Sequence, residues 1–135
     1  MNKTDSTHIA FVPKGDSMWP FLKNKKQTVI IDKEKTDIKE YDVILYTRAN
    51  GGNILHRAIK IADDIITCCG DSQFVTEQVQ KKQIVGVMIG YYKKEKYLEV
   101  DQKYREKAKK YYKKNKRRKL KVRIHFIFKK FFKGK

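Results

Sequence analysis

The sequence contains no long hydrophobic run. A membrane-spanning helix needs about 18 or more consecutive apolar residues, and no stretch of the 135 residues approaches that length. Charged residues and Pro13 interrupt the first 20 residues, which excludes the apolar core of a secretory signal peptide. We therefore expect a protein that is cytoplasmic or peripheral on a membrane surface, with no signal peptide and no transmembrane helix.

Cysteine is also scarce. The two cysteines, Cys68 and Cys69, are adjacent, and neighbouring cysteines rarely bridge each other because the ring that they would close is strained. No second pair exists to build a disulfide framework or a CxxC metal site. The sequence therefore predicts no metal and no cofactor, and it predicts that one cysteine points inward and the other outward on a strand.

Acidic residues are scarce at one end of the chain only. Residues 1–100 contain 16 Lys or Arg and 13 Asp or Glu, whereas residues 101–135 contain 17 and 2. The net charge of +18 therefore comes mostly from the last quarter. We divide the chain into a body, residues 1–98, and a basic, aromatic C-terminal extension, residues 99–135.

The body is rich in short, β-branched segments. Strands are predicted at residues 27–32, 41–48, 53–61, 65–69 and 84–92. Asn50-Gly51 between two of them is a strong hairpin signal, because both residues tolerate positive φ. Only residues 76–82 are typical of a helical turn, and the pattern after residue 100 favours a helix. We predict a mainly β fold of short antiparallel strands, followed by a helical, basic extension.

The segment GDSMWP, residues 15–20, places Ser17 in a tight, glycine-led turn. A serine hydroxyl is a poor nucleophile at neutral pH unless an adjacent base takes its proton. His56 lies within the predicted strand ILHRAIKI, and an imidazole with a pKa near 6.5 suits that role. Lys60 is the rival base on the same strand face, but at about 3.3 Å per residue it lies roughly 13 Å from His56. That distance is too long for both to serve one serine.

The order and spacing of GDSMWPFL, YDVILY, ILHRAIKI, TCCGDSQ and IVGVMIG resemble those of the catalytic domain of the signal peptidases and LexA-like serine peptidases. Within that group the chain is similar to the branch that uses Ser and His, found in endoplasmic-reticulum-type signal peptidases and their bacterial relatives. The resemblance covers roughly residues 11–92. It implies the compact β fold of that group.

The resemblance also implies catalytic roles for individual residues. Ser17 matches the nucleophile and His56 the general base. Asp71 matches the first acid of the family, and Glu77 stands at the position of a second acid, so either could orient His56. Two departures from the family pattern concern these acids: Ser72 stands near a frequent Asn, and Glu77 is one methylene longer than the usual Asp.

Substrate binding is implied at the same turn. The N–H of Ser17 would help to form the oxyanion hole, Gly15 would let the turn come close to the substrate, and Met18 would fix the turn. The implied substrate is an extended peptide or a leader-bearing protein with small residues at the first and third positions before the cut. The implied function is a serine endopeptidase that hydrolyses a bond in a leader or signal-like peptide through an acyl-enzyme.

The sequence leaves alternatives open for the function of the body and for the partner of the tail. The body could instead be a non-catalytic peptide-binding module of the same fold, anchored by its basic tail. In the tail, residues 103–135, the basic side chains could bind an anionic membrane peripherally, and nucleic acid is a less favoured partner. A third possibility for the tail is a solvated extension whose aromatic residues pack on the body. The phenylalanines that could enter a membrane are Phe126, Phe128, Phe131 and Phe132.

Overall fold

In the computed structural model, residues 7–133 and the side chains of residues 7–131 are described. The first six residues of the body, the Phe132 side chain and residues 134–135 of the extension lie outside them. The strands are β1 (His8–Phe11), β2 (Val29–Asp32), β3 (Val43–Thr47), β4 (Asn53–Ile61), β5 (Ile65–Cys69), β6 (Glu77–Gln80), β7 (Ile84–Lys93) and β8 (Lys96–Glu99). Two helices follow them, α1 (Gln102–Lys113) and α2 (Asn115–Lys133). The predicted mainly β, antiparallel fold is confirmed, with helices at the C-terminal end.

The eight strands form one antiparallel sheet in the order β1-β2-β7-β3-β4-β5-β6, with β8 also paired to β7. Central β3 is buried on both faces from Val43 to Tyr46, which explains its uninterrupted apolar run. Alternate side chains of a strand point to opposite faces, so β3 supplies two cores. The first core contains Met18, Leu22, Val29, Ile31, Val43, Leu45, Leu55, Met88 and Tyr104. The second contains Ile44, Tyr46, Ala58, Ile66, Cys68, Val79 and Val87.

The predicted strands are present, and β4 has the predicted bounds. The prediction of a helical turn at residues 76–82 is wrong: Glu77–Gln80 forms β6, which pairs with β5, and only Lys81–Gln83 forms a 3₁₀ turn. Pairing with a neighbouring strand here overrides the local pattern. Strands β1 and β8 were not predicted, because both are short and carry polar or charged residues.

Both cysteines are buried as free thiols, with Cys68 0% and Cys69 3% exposed. The prediction that one of them points outward is therefore wrong. Cys68 lies in the second core, as expected for an inward residue. Cys69 points to the other face of β5, where Arg118 of α2 covers its sulfur at 3.6 Å.

The C-terminal helices are packed on the sheet. Tyr104 of α1 belongs to the first core, and Ala108 of α1 is fully buried. Asp101 caps α1 by accepting a hydrogen bond from the Tyr104 N–H. Arg118 and Val122 of α2 are 4% and 5% exposed. Neither of the two α-helices in residues 7–133 combines the length and the hydropathy that a membrane-spanning segment requires.

Candidate active site

Ser17 lies in the connection between β1 and β2, in a turn that is held by backbone geometry. Gly15 has φ +87°, which a glycine adopts without the steric penalty of other residues. Its N–H donates to Oδ1 of Asn24 at 2.6 Å. The Trp19 N–H donates to the Asp16 carbonyl at 3.0 Å and closes the turn around Ser17. Ser17 is thus presented at the tip of a fixed loop.

The segment after β5 forms hydrogen bonds to the backbone of this turn. The Ser72 N–H donates to the Ser17 carbonyl at 3.0 Å, and the Ser72 hydroxyl donates to the Asp16 carbonyl at 2.6 Å. At Gly70, a Cβ atom would lie 2.7 Å from the Ser17 carbonyl oxygen, closer than backbone atoms tolerate. The glycine in CCGDS therefore lets two loops from distant parts of the chain come into contact at Ser17.

The donors of the serine turn are available to a ligand. In the part of the chain that the structure describes, the N–H groups of Ser17 and Met18 and the hydroxyl of Ser17 make no hydrogen bond. The Gly15 N–H is already bound to Asn24, so Gly15 contributes backbone conformation rather than a donor. Two adjacent free N–H groups beside a serine hydroxyl can stabilise an oxyanion that forms there.

The pairing of the strands places His56 and Glu77 on the same face of the sheet. His56 lies opposite Ile44 on β3, two residues before Tyr46, and Glu77 lies opposite Cys68 on β5. The Tyr46 hydroxyl donates to Oε1 of Glu77 at 2.7 Å and lies 3.3 Å from Nδ1 of His56. Because the hydroxyl proton is given to Glu77, the hydroxyl oxygen accepts from Nδ1–H of His56. Nε2 is then unprotonated and can act as a base.

Ser17 and His56 line one cavity of about 290 Å³. In the described part of the chain, β5 pairs with β4 only from Arg57 onward. Residues 53–56 pair with β3 on one edge and have no strand partner on the other, and they line the cavity. The other lining residues are Phe11, Val12, Pro13, Lys14, Gly15, Met18, Leu22, Asn53, Ile54 and Leu55. Within the described residues no hydrogen bond joins Ser17 to His56, and such bonds commonly shorten only when substrate is bound.

Burial lowers the pKa of His56 below its usual 6.5, and the positive charge of Arg48 lowers it further. The carboxylates of Glu77 and Asp71 act in the opposite direction with smaller effects. His56 is 7% exposed and is therefore neutral at pH 7, which is the state that a general base needs. Arg48 also binds Glu77 directly, with Nη2 2.8 Å from Oε1, and lowers the pKa of that carboxyl.

Asp71 lies on the opposite side of the sheet from Glu77. Its carboxylate accepts from Arg57 twice, Nε to Oδ1 at 3.1 Å and Nη2 to Oδ2 at 2.6 Å, and from the Tyr112 hydroxyl at 2.6 Å. Arg57 and Asp71 have fully buried side chains. Of the two acids that the sequence left open, Glu77 reaches His56 through Tyr46, whereas both oxygens of Asp71 are taken up by Arg57 and Tyr112.

Lys60 is exposed and is not part of the cavity lining. The pairing of β4 with β5 shifts register between Ala58 and Lys60, so strict alternation from His56 does not extend to Lys60. The expectation that Lys60 faces the same side as His56 depended on that alternation. The distance along the strand and the exposure of Lys60 both separate it from Ser17.

Helix α2 covers the outer side of the serine turn. Packing of the tail on the body was one possibility that the sequence left open, but the sequence did not indicate this turn as the place of contact. Trp19 stacks on His125 with ring centroids 3.9 Å apart, and Asp16 forms an ion pair with Lys129. Arg118 donates to the carbonyls of Gly70 and Gln73. The helix thus holds both loops that meet at Ser17. Spacings of three and four residues, as between Arg118, Val122, His125 and Lys129, were the available signal for this buried face.

Tyr46, Arg48 and Arg57 are further site residues that sequence reasoning missed. Arg57 follows His56 directly, and adjacent strand residues point to opposite faces, so the pair HR could have indicated two different carboxylate partners. Among the described residues, no cluster of His, Cys, Asp and Glu is arranged to hold a metal ion.

Comparison with protein-family models, with curated proteins and with solved structures gave no match.

Proposed function

We propose that this protein is a serine endopeptidase of the Ser–His branch of the signal-peptidase and LexA-like group. The observation that carries the proposal is that Ser17 and His56 line one cavity, with Nδ1 of His56 engaged by Tyr46. That arrangement leaves Nε2 of a neutral imidazole unprotonated, in the same cavity as the proposed nucleophile. The motif GDSMWP and the acid at Glu77 support the same assignment.

The reaction follows from the donors and acceptors at the cavity. Nε2 of His56 takes the proton of the Ser17 hydroxyl as Oγ attacks the carbonyl carbon of the substrate. The N–H groups of Ser17 and Met18 stabilise the resulting oxyanion. His56 then gives its proton to the leaving amine, and the acyl-enzyme remains. Water, activated by His56 in the same way, releases the acid product and restores the serine.

The Glu77–Tyr46 pair stabilises the imidazolium that forms in both steps. In a Ser–His–Asp triad the carboxylate contacts the imidazole directly, whereas here a tyrosine hydroxyl lies between them. The negative charge of Glu77 raises the pKa of His56, which favours the protonated intermediate. The hydroxyl keeps the Nδ1–H tautomer in place.

The substrate class is a leader or signal-like peptide in extended conformation. The edge of β4 at residues 53–56 that β5 does not pair with offers backbone groups to such a strand, and residues 11–14 also line the cavity. Apolar side chains of Met18, Leu22 and Leu55 fit small apolar residues of the peptide rather than charged ones. A dedicated peptide or small-protein partner that carries such a leader is the proposed substrate.

Active-site labelling combined with peptide cleavage tests the proposal. A fluorophosphonate probe is expected to modify Ser17, located by mass spectrometry, and the modification should be lost in His56→Ala. Lys60→Ala, which changes an exposed residue on the same strand, is the matched control and should label like the wild type. Cleavage of leader peptides with small residues before the cut should disappear in Ser17→Ala.

Two results would contradict the proposal. One is cleavage of a leader peptide that persists in pure Ser17→Ala protein. The other is a leader peptide that binds in the cavity with equal affinity in wild type and Ser17→Ala and is cleaved by neither. The second result would identify the body as a non-catalytic peptide-binding module.

A further inference from the structure

Helix α2 has one face on the body and one in solvent. Arg118 and Val122 are buried on the inner face, where His125 and Lys129 also contact the serine turn. The outer face presents aliphatic side chains: Leu120 is 58%, Ile124 44% and Ile127 58% exposed. Their spacing of four, three and seven residues places them on one stripe of a helix. Phe128 and Phe131 extend this exposed region, at 57% and 66%.

Positive charge accompanies this apolar stripe. Nine residues of α2 are Lys or Arg and none is Asp or Glu. Lys116, Arg117, Lys119 and Lys121 are exposed and lie in the same turns as Leu120. A helix with an apolar stripe, a basic flank and no acidic residue is typical of segments that lie in the plane of a membrane interface.

Three partners could cover this face: a second copy of the chain, nucleic acid or an anionic bilayer. The charge and the side-chain types of the face distinguish them. A second copy of the chain would bring two strongly basic helices together without acidic partners, which costs energy. Nucleic acid would neutralise the lysines and could stack on Phe128 and Phe131. It would leave Leu120, Ile124 and Ile127 in water, because aliphatic side chains do not stack on bases. An anionic bilayer offers phosphate groups to the basic side chains and acyl chains to the aliphatic ones.

We propose that α2 binds the surface of an anionic membrane through its outer face. Leu120, Ile124 and Ile127 enter the boundary between headgroups and acyl chains, and the exposed lysines and arginines contact the lipid phosphates. The helix lies parallel to the surface, since it does not span it. The opposite face keeps its contacts with Trp19 and Asp16, so membrane binding places the serine turn next to the bilayer. The proposal does not depend on catalysis.

Vesicle sedimentation with the full chain tests this inference. The protein should sediment with vesicles of phosphatidylcholine and phosphatidylglycerol and remain in the supernatant with vesicles of phosphatidylcholine alone. Raising the salt concentration should weaken the binding, because ions screen the attraction between lysines and phosphates. Failure of the wild-type chain to bind the anionic vesicles at low salt would overturn the proposal.

Two pairs of variants separate the apolar contribution from the charge contribution. Leu120→Ser with Ile127→Ser should reduce the partition coefficient about tenfold or more, because it removes the inserted side chains. Tyr92→Ser, at an exposed aromatic residue on β7, is the control and should bind like the wild type. Lys116→Gln with Arg117→Gln should weaken binding more than Lys93→Gln with Lys96→Gln, which removes the same charge from the β7–β8 hairpin.

Near-ultraviolet circular dichroism of each variant verifies that the fold is intact. Undiminished binding of the folded Leu120→Ser, Ile127→Ser variant to anionic vesicles would contradict insertion of the stripe. Sedimentation velocity tests whether a second copy of the chain binds the outer face instead. If the wild type forms a dimer that the Leu120→Ser, Ile127→Ser variant abolishes, the outer face joins two copies and the proposal is wrong.

Discussion

Two clusters on opposite faces of the sheet are built from the same residue types and differ in burial. Each contains a carboxylate, an arginine and a tyrosine: Asp71, Arg57 and Tyr112 in one, Glu77, Arg48 and Tyr46 in the other. The side chains of Asp71 and Arg57 are 0% exposed, whereas those of Glu77 and Arg48 are 32% and 41% exposed. The buried cluster fixes two loops in place, and the half-exposed cluster controls a histidine.

The two clusters differ in function because the hydroxyl groups of their tyrosines have different hydrogen-bond partners. The Tyr112 hydroxyl donates to a carboxylate that Arg57 already holds in a fully buried pair. The Tyr46 hydroxyl donates to Glu77 and still accepts from His56. A buried ion pair has little freedom to respond to a proton, because breaking it leaves a charge without solvent. The half-exposed pair can support a histidine whose charge changes during a reaction.

The largest expected effect is on stability. Asp71→Asn should lower the free energy of unfolding by about 3 kcal/mol or more, because it leaves the buried Arg57 guanidinium without its countercharge. Glu77→Gln breaks a partly exposed pair and should cost about 1 kcal/mol or less. Urea denaturation of the two variants beside the wild type measures the difference. Equal losses would show that the two clusters are not distinguished by burial.

The proposed peptidase activity should depend on the half-exposed cluster of Glu77, Arg48 and Tyr46. Tyr46→Phe removes the group that accepts from Nδ1–H of His56, and kcat/KM for a cleaved leader peptide should fall by about 10²-fold. Tyr112→Phe makes the same chemical change at the buried cluster and should leave kcat/KM nearly unchanged. Steady-state kinetics on both folded variants checks this. A larger loss in Tyr112→Phe would mean that Asp71 is the acid that serves His56.

The pH dependence should respond to the charges around His56. Its pKa lies below 6.5, so activity is expected to persist below pH 6.5 and to fall when the imidazole finally protonates. The unfolded chain binds this proton at higher pH than the folded one, so stability also decreases as pH falls below 6.5 toward the lower folded value. Nuclear magnetic resonance titration of the His56 ring protons measures that pKa.

Two substitutions should shift this pKa in opposite directions. Arg48→Gln removes a positive charge that lowers the pKa of His56, so the pKa should rise. Glu77→Gln removes a negative charge that raises it, so the pKa should fall. A common direction of shift in the two variants would contradict the assignment of these charges.

The smallest effect should be seen at the two cysteines, one beside each cluster. Burial raises the pKa of Cys68 to about 12, with Glu77 adding to the effect, and burial also raises the pKa of Cys69. Neither thiol should react with iodoacetamide in the folded protein, because the thiolate is the reactive form. Arg118→Ala uncovers the Cys69 sulfur and also removes a positive charge that lowers its pKa. Because burial is the larger effect on that pKa, Cys69 should become alkylated while Cys68 stays protected, as measured by mass spectrometry. Equal reactivity of the two would mean that α2 covers neither selectively.

Local signals sufficed for the central strands, and they singled out Ser17 and His56, which line one cavity. β4 was placed between its correct bounds because a four-residue turn with Asn50-Gly51 precedes a long β-branched run. β8 was missed because Lys94, at φ +59°, occupies a turn position where glycine or asparagine would have given the signal. β6 was missed because its pairing with β5 is the cause of its conformation, and pairing is not visible locally.

The assignment of the acids could not be made from sequence, because it depends on which face each strand residue takes after pairing. His56 and Arg57 are neighbours in the chain, yet they face Tyr46 and Asp71 on opposite sides of the sheet. Packing of aromatic residues of the last quarter on the body was one possibility that the sequence left open, but burial of a basic residue there was not indicated. A run of lysines and arginines usually indicates a solvated surface, but Arg118 is buried among Tyr112, Phe74 and backbone carbonyls.

The position of Tyr104 in the first core has a consequence for the order in which the molecule is assembled. A chain leaves the ribosome from its N-terminus at about 5–20 residues per second, so the strands emerge before the residue that completes their core. The two loops that meet at Ser17 gain their last contacts later still, after Arg118, His125 and Lys129 have been synthesised. Ser17, which precedes most of the sheet in the chain, is thus held in place by residues that are synthesised after the whole sheet.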